Sequence, residues 1–313
     1  MANQGKTAEA ISHYMAALTL NPNYAAARAN LGAALWAVGK VADAIVEYQT
    51  ALKLMPNFPE AHSNLGIALA SQGKFDEAIE HYSQALQLRP DYVEALYNLG
   101  NALREQGKLQ EAVASYRQAL EIQPAYGEAH LGLGSVLLVQ GKPDEAITEY
   151  KEALRGNPDL AEAHNRIGAV LSAQGKVTEA AGQYAEAIRL KPDYAEAHNN
   201  LGLALESQGK IADAVEQYTE ALRLKPQYAE AHDSLANVLL GQGKLDEAIV
   251  HYREAIRIKP DYALAHHNLG VAIMRQGNNA GALEEFNAAL RINPNLREAQ
   301  EAIARISGRT QSK

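Results

Sequence analysis

AEAHNNLGLALESQGKIADAVEQYTEALRLKPQY, residues 195–228, contains two helical patterns separated by one glycine. In the first, Ala197, Leu201, Gly202, Ala204 and Leu205 recur at three-to-four spacing, the signature of one helix face. Gly209 closes that run, because glycine enters the left-handed conformation that ends a helix. The second pattern carries Ala214, Val215, Tyr218, Ala221, Leu222 and Leu224, with Arg223 and Lys225 in the last turn, where cations complement the helix dipole. Pro226 stops it. The stretch is a helix–turn–helix unit.

The unit repeats. Pro22, Pro56, Pro90, Pro124, Pro158, Pro192, Pro226, Pro260 and Pro294 stand 34 residues apart, nine of the eleven prolines in one unbroken register. A fixed period of this size specifies a solenoid rather than a globular enzyme core. Eight complete units are expected over 25–296, with a second helix of an incomplete leading repeat over 1–24 and a C-terminal solvating helix and tail over 297–313. Glycines in register with Gly202 (Gly32, Gly66, Gly100, Gly134, Gly168, Gly270) and alanines in register with Ala221 are expected to let helix backbones approach closely.

Leu201, Gly202, Ala214, Tyr218, Ala221 and Pro226 occupy the signature positions of the tetratricopeptide repeat (TPR), and the chain resembles that family over nearly its whole length. The phrases AEAHNNLG and PNFPEAHSNLG are similar to the superhelical arrays of O-GlcNAc transferases and related bacterial proteins. The resemblance implies an all-α fold, a right-handed α–α superhelix whose first helices line a concave groove. One departure is systematic: where the family often has Trp, this chain has His62, His130, His164, His198, His232 and His266.

Composition excludes several functions. The net charge of −8 argues against nucleic acid as the main partner. No apolar run approaches a membrane span, no signal-peptide pattern opens the chain, and cysteine is absent; a cytoplasmic location is the expectation. Neither catalytic nor metal-binding residues are expected, and no cofactor. The histidines recur at structural positions about one unit apart, too far to share a metal. Gly209–Lys210 and its equivalents are turns, not phosphate loops, since no Ser or Thr follows in the required pattern.

Function is then expected at first-helix positions that packing leaves free. One carries Asn30, Asn64, Asn98, Asn200 and Asn268, with Arg166 in the same register. An amide offers both donor and acceptor, so a ladder of them suits the backbone of an extended peptide whatever its sequence. The resemblance to O-GlcNAc-transferase arrays implies the same role. Positions that vary between units, among them Tyr97, Asn101, Arg104, Glu206, Asp233, Asn237 and Arg275, are where specificity is expected. Glu60, Glu94, Glu128, Glu162, Glu196 and Glu230 share a first-turn position, an edge read as favouring basic or neutral peptides.

The expected function is therefore non-catalytic binding of a protein or peptide. The alternatives are a substrate-presenting fragment of a larger, glycosyltransferase-like enzyme, and a scaffold that pairs end to end through an apolar patch at Ile11, Tyr14 and Leu18.

Overall fold

The computed structural model describes residues 2–310, and among them finds eighteen α-helices and no strand. Two compact units divide at Pro158 and Asp159. In the first, α1 (Ala2–Leu20) precedes the pairs α2 (Ala25–Ala37) with α3 (Val41–Leu54), α4 (Pro59–Ser71) with α5 (Phe75–Leu88), α6 (Val93–Glu105) with α7 (Leu109–Ile122), and α8 (Gly127–Val139) with α9 (Pro143–Gly156). In the second, the pairs are α10 (Ala161–Ala173) with α11 (Val177–Leu190), α12 (Ala195–Ser207) with α13 (Ile211–Leu224), α14 (Ala229–Gly241) with α15 (Leu245–Ile258), and α16 (Ala263–Arg275) with α17 (Asn279–Ile292). The helix α18 (Arg297–Thr310) follows. The expected tail beyond residue 310 lies outside the described residues.

Each pair turns at a left-handed glycine. Gly209 has φ of +75° and its N–H returns to the Glu206 carbonyl, while the Lys210 N–H reaches Leu205; seven further glycines repeat this at the same register. First helices also touch one another: α2 with α4, α4 with α6 and α6 with α8 in one unit, α10 with α12, α14 with α16 and α16 with α18 in the other. They form the closely spaced row.

The small residues serve a different neighbour from the one expected. At Gly202 the space belongs to the Tyr218 ring of the partner helix, and a Cβ there would lie 2.6 Å from it. Tyr48, Tyr82, Tyr116, Tyr150 and Tyr184 rest on Gly32, Gly66, Gly100, Gly134 and Gly168 in the same way, and Phe286 rests on Gly270. The close approach is thus ring to backbone. In one pair Ala236 replaces the glycine, and both it and Tyr252 stay fully buried. Ala221 and its equivalents are fully buried as well, which leaves no room for a longer side chain. In α18, Ala299, Ala302 and Ile306 are buried and Gln300 and Arg305 are exposed, so the helix covers the preceding pair with one face and meets solvent with the other.

Gly202→Ala is expected to destabilise by about 1 kcal/mol or more through overpacking against Tyr218. The comparison is Gly182→Ala in α11, where a Cβ meets nothing within 4 Å, and where alanine gains up to about 1 kcal/mol of helix propensity. Thermal unfolding should move in opposite directions for the two variants.

Candidate functional site

The histidine ladder proves to be a set of hydrogen-bonded bridges. His62, His130, His198, His232 and His266 each set Nε2 against the carbonyl of the ladder proline six residues earlier, at 2.9, 2.9, 3.1, 3.2 and 3.3 Å. A carbonyl only accepts, so Nε2 carries the proton. Nδ1 then meets a second-helix side chain 19 residues on: His81 at 3.1 Å, Glu149 at 2.7 Å, Gln217 at 2.8 Å, His251 at 2.9 Å and Glu285 at 2.7 Å. Arg28 and Gln300 reach Pro22 and Pro294 from the same register with different chemistry. The ring therefore ties the inter-unit loop to both helices of the next pair. Among the described residues no group of three or more potential ligands is placed to hold a metal ion.

The glutamate edge is similarly committed. Glu60 pairs with Arg89, Glu196 with Lys225 at 3.7 Å and Glu230 with Lys259 at 3.3 Å, each cation coming from the end of a second helix 29 residues on. Those cations also lie over rings three residues later: Arg89 over Tyr92 at 4.7 Å, Lys225 over Tyr228 at 4.6 Å, Lys259 over Tyr262 at 5.0 Å. Arg89 draws the Glu60 carboxyl below its usual range although burial acts the other way. At these three positions the edge carries cations as well as carboxylates, which removes the acidic bias expected of it there. The missed signal was the 29-residue offset between two charge ladders of opposite sign.

The expected contact residues divide into two classes. Tyr97 is half-buried between rings, 5.5 Å from Tyr126 edge-on and 6.1 Å from Tyr116. The Tyr116 and Tyr252 hydroxyls donate to Asn101 and Asn237, both at 2.7 Å, so these amides anchor the packing tyrosines. Arg104 holds Glu105 at 2.8 Å, and Arg166 holds Glu162 at 2.5 Å. Asn200 and Asn268 donate laterally to the preceding first helix, to Asn165 at 3.0 Å and Asp233 at 3.2 Å. Asn30, Asn64 and Asn98 are different. Asn30 is exposed and the other two half-buried, and among the described residues their amides make no hydrogen bond.

Ile11, Tyr14 and Leu18 are half-buried on α1 rather than open. The exposed apolar side chains nearby are Met15 and Val46, each 58% accessible, and Leu20 at 89%. Ile11, Met15, Leu31, Leu35 and Val46 line a pocket among α1, α2 and α3.

Tetratricopeptide-repeat models match residues 58–125, 2–39 and 37–73, and a model of the cilia and flagella-associated protein 70 C-terminal domain matches residues 92–306. The chain belongs to the tetratricopeptide-repeat family. Among solved structures it is similar to the APC/C hetero-tetramer Cut9–Hcn1, with a TM-score of 0.68 and 16% identity over 91% of this chain, and it spans 56% of that chain's length. PilF of Pseudomonas aeruginosa aligns at a TM-score of 0.62 and 26% identity, over 68% of this TPR chain and 97% of PilF. A tetratricopeptide repeat protein of Parabacteroides merdae aligns at 0.60 and 19% identity, over 80% of this chain and 98% of its own. No curated protein matches the sequence. The narrower likeness to O-GlcNAc-transferase arrays rests on the sequence phrases alone. No helix among the described residues is long and apolar enough to cross a membrane.

The bridges give the TPR array a pH dependence of known sign. Burial, then the field of His62 or His232, lowers the pKa of His81 and His251, outweighing the nearby Glu80, Glu77, Glu247 and Glu254. Burial also lowers His267. A histidine depressed in the folded state contributes stability that is complete above the unfolded pKa of about 6.5 and lost as pH falls. His130 runs the other way: burial pulls it down, but Glu149 and the Pro124 carbonyl hold it above its usual value. Its contribution is complete below about pH 6.5 and lost as pH rises. The double variant His81→Gln, His251→Gln installs the residue already found opposite His164 and His198. Its melting temperature should fall less than the parent's between about pH 7.5 and 5, and His130→Gln should fall more.

Proposed function

We propose that the chain is a non-catalytic interaction module that holds an extended peptide or partner segment along its first-helix faces. TPR arrays serve as protein-interaction modules. The observation that carries the finer reading is the row Asn30, Asn64 and Asn98, three amides in one register on successive first helices, none bonded among the described residues. Packed helices lie about 8–10 Å apart, and an extended chain rises about 3.3 Å per residue. One amide therefore meets the ligand backbone about every three residues. Each offers one donor and one acceptor, the complement of a peptide group. Asparagine is also a poor choice for a helix interior on propensity alone, so three that bond nothing among the described residues point outward.

The combined variant Asn30→Ala, Asn64→Ala, Asn98→Ala tests this on an array of extended dodecapeptides. Binding is expected to fall on the order of ten-fold or more, since each unpaired peptide group costs about 1 kcal/mol. The melting temperature should hold or rise. Undiminished binding would remove the amide row from the mechanism.

A second reading has its own observation. The exposed Met15 and Val46, with Ile11, Leu31 and Leu35 in the pocket among α1, α2 and α3, form an apolar patch of the kind that mediates association. Self-association through it predicts a molar mass that rises with concentration in light scattering and reverts to monomer in Met15→Lys, Val46→Glu.

A further inference from the structure

Two carboxylates on the first-helix face of the second unit lack a cation. Glu206 on α12 accepts the Tyr218 hydroxyl at 2.7 Å, is half-buried, and has no ion-pair partner among the described residues. Asp233 on α14 is 7% exposed and is held only by neutral donors: Asn268 and Asn237, each at 3.2 Å, and the Tyr262 hydroxyl. Burial raises the Asp233 carboxyl despite these three donors, and its charge helps push the Tyr262 hydroxyl up to about 12 after burial. The Tyr218 hydroxyl that Glu206 accepts also meets Ser234 on α14, the residue next to Asp233, which brings the two carboxylates to one seam. Arg275 bonds the Leu240 carbonyl at 3.2 Å, so it pairs with neither acid.

A third group belongs to the same seam. Asn199 stands two turns before Glu206 on one stripe of α12 and in register with Asp233. Its side chain is 4% exposed, yet its carbonyl oxygen has no hydrogen-bond partner. Residues in this register face the next first helix, as the bonds Asn200 to Asn165 and Asn268 to Asp233 demonstrate. Opposite Asn199 that next helix supplies Ser234 rather than an asparagine, and Ser234 is engaged with Tyr218. The acceptor is left without its donor.

Packing does not require any of this. The register of Glu206 holds Trp36, Ala70, Arg104, Leu138, Ser172, Leu240 and Met274 elsewhere, and that of Asn199 holds Tyr97 beside Arg104. Where α6 carries an aromatic and a cation, α12 carries an amide and an anion. A partly buried carboxylate without a counter-charge costs stability, so its presence on an interaction face asks for a cation from outside.

We propose that the α12–α14 seam receives a lysine or arginine side chain of an extended segment held on the second unit's first helices, with Glu206 and Asp233 supplying the charge and Asn199 a further acceptor. The inference rests on the peptide-binding reading above and names the partner's chemistry: a segment with a basic residue at one fixed place.

A randomised dodecapeptide library, panned on the full chain, tests it. The bound pool should be enriched in lysine or arginine at one position. Glu206→Gln, Asp233→Asn keeps the side-chain shapes and removes the charge, at the loss of one Asp233 acceptor, and should lose that preference about ten-fold while still binding, as expected for a charge-assisted bond. Glu206→Arg, which installs the residue that α6 has at Arg104, should turn the preference toward acidic residues. Circular dichroism melts confirm that each variant is folded. A bound pool without basic bias, or a bias unmoved by these variants, overturns this inference and leaves the peptide-binding reading standing. A parent chain that retains no peptide overturns both.

Discussion

One contact recurs through the molecule and sets its geometry: a second-helix ring packed closely against the glycine of its first-helix partner. Tyr218 on Gly202 is representative, with no space for even a methyl group without a shift. The contact buries a large ring at the centre of each pair. The same ring-to-glycine approach recurs in seven pairs, so those pairs pack alike. The loop repeats as well, and the histidine bridges tie it down by bonding the proline carbonyl on one side and a second-helix side chain on the other.

The tyrosines connect this packing to the candidate site. Their rings are structural, but their hydroxyls emerge among first-helix side chains, where a buried O–H needs an acceptor. Asn101, Asn237 and Glu206 supply it, and Ser172 meets Tyr184 from the same register as Glu206. Tyr150 finds none. Residues that vary from unit to unit therefore answer to two demands, satisfying the hydroxyl and presenting chemistry outward. Neutral Asn101 and charged Glu206 meet the first demand equally well. They differ entirely in the second.

Much of the fold was legible because repetition amplifies weak signals. A single Gly–Lys turn or a single Tyr says little, but the same residue at a 34-residue interval marks a packing position. That argument correctly set aside the histidines, the tyrosines and the glycine–lysine pairs as structural. It missed the cations at three of the six first-turn glutamates, Glu60, Glu196 and Glu230. Glu196 and Glu230 meet lysines that follow 29 residues later, and a pairing between two ladders is invisible until the stacking brings one beside the other. The glycines were assigned correctly as a close approach and incorrectly as to what approaches.

The asparagine row shows the division most plainly. By itself the sequence determined that five asparagines share one register on first helices, because period and helix phase are both written in the order of residues. Only the tertiary structure decided that Asn200 and Asn268 turn sideways to a neighbouring helix while Asn30, Asn64 and Asn98 keep their amides unbonded. The reason is physical. A side-chain amide bonds whatever acceptor stands within about 3 Å, and the residue that stands there, Asn165 or Asp233, lies 35 positions earlier in the chain. Register follows from the sequence alone, whereas hydrogen-bond partnership follows from which helices are brought together.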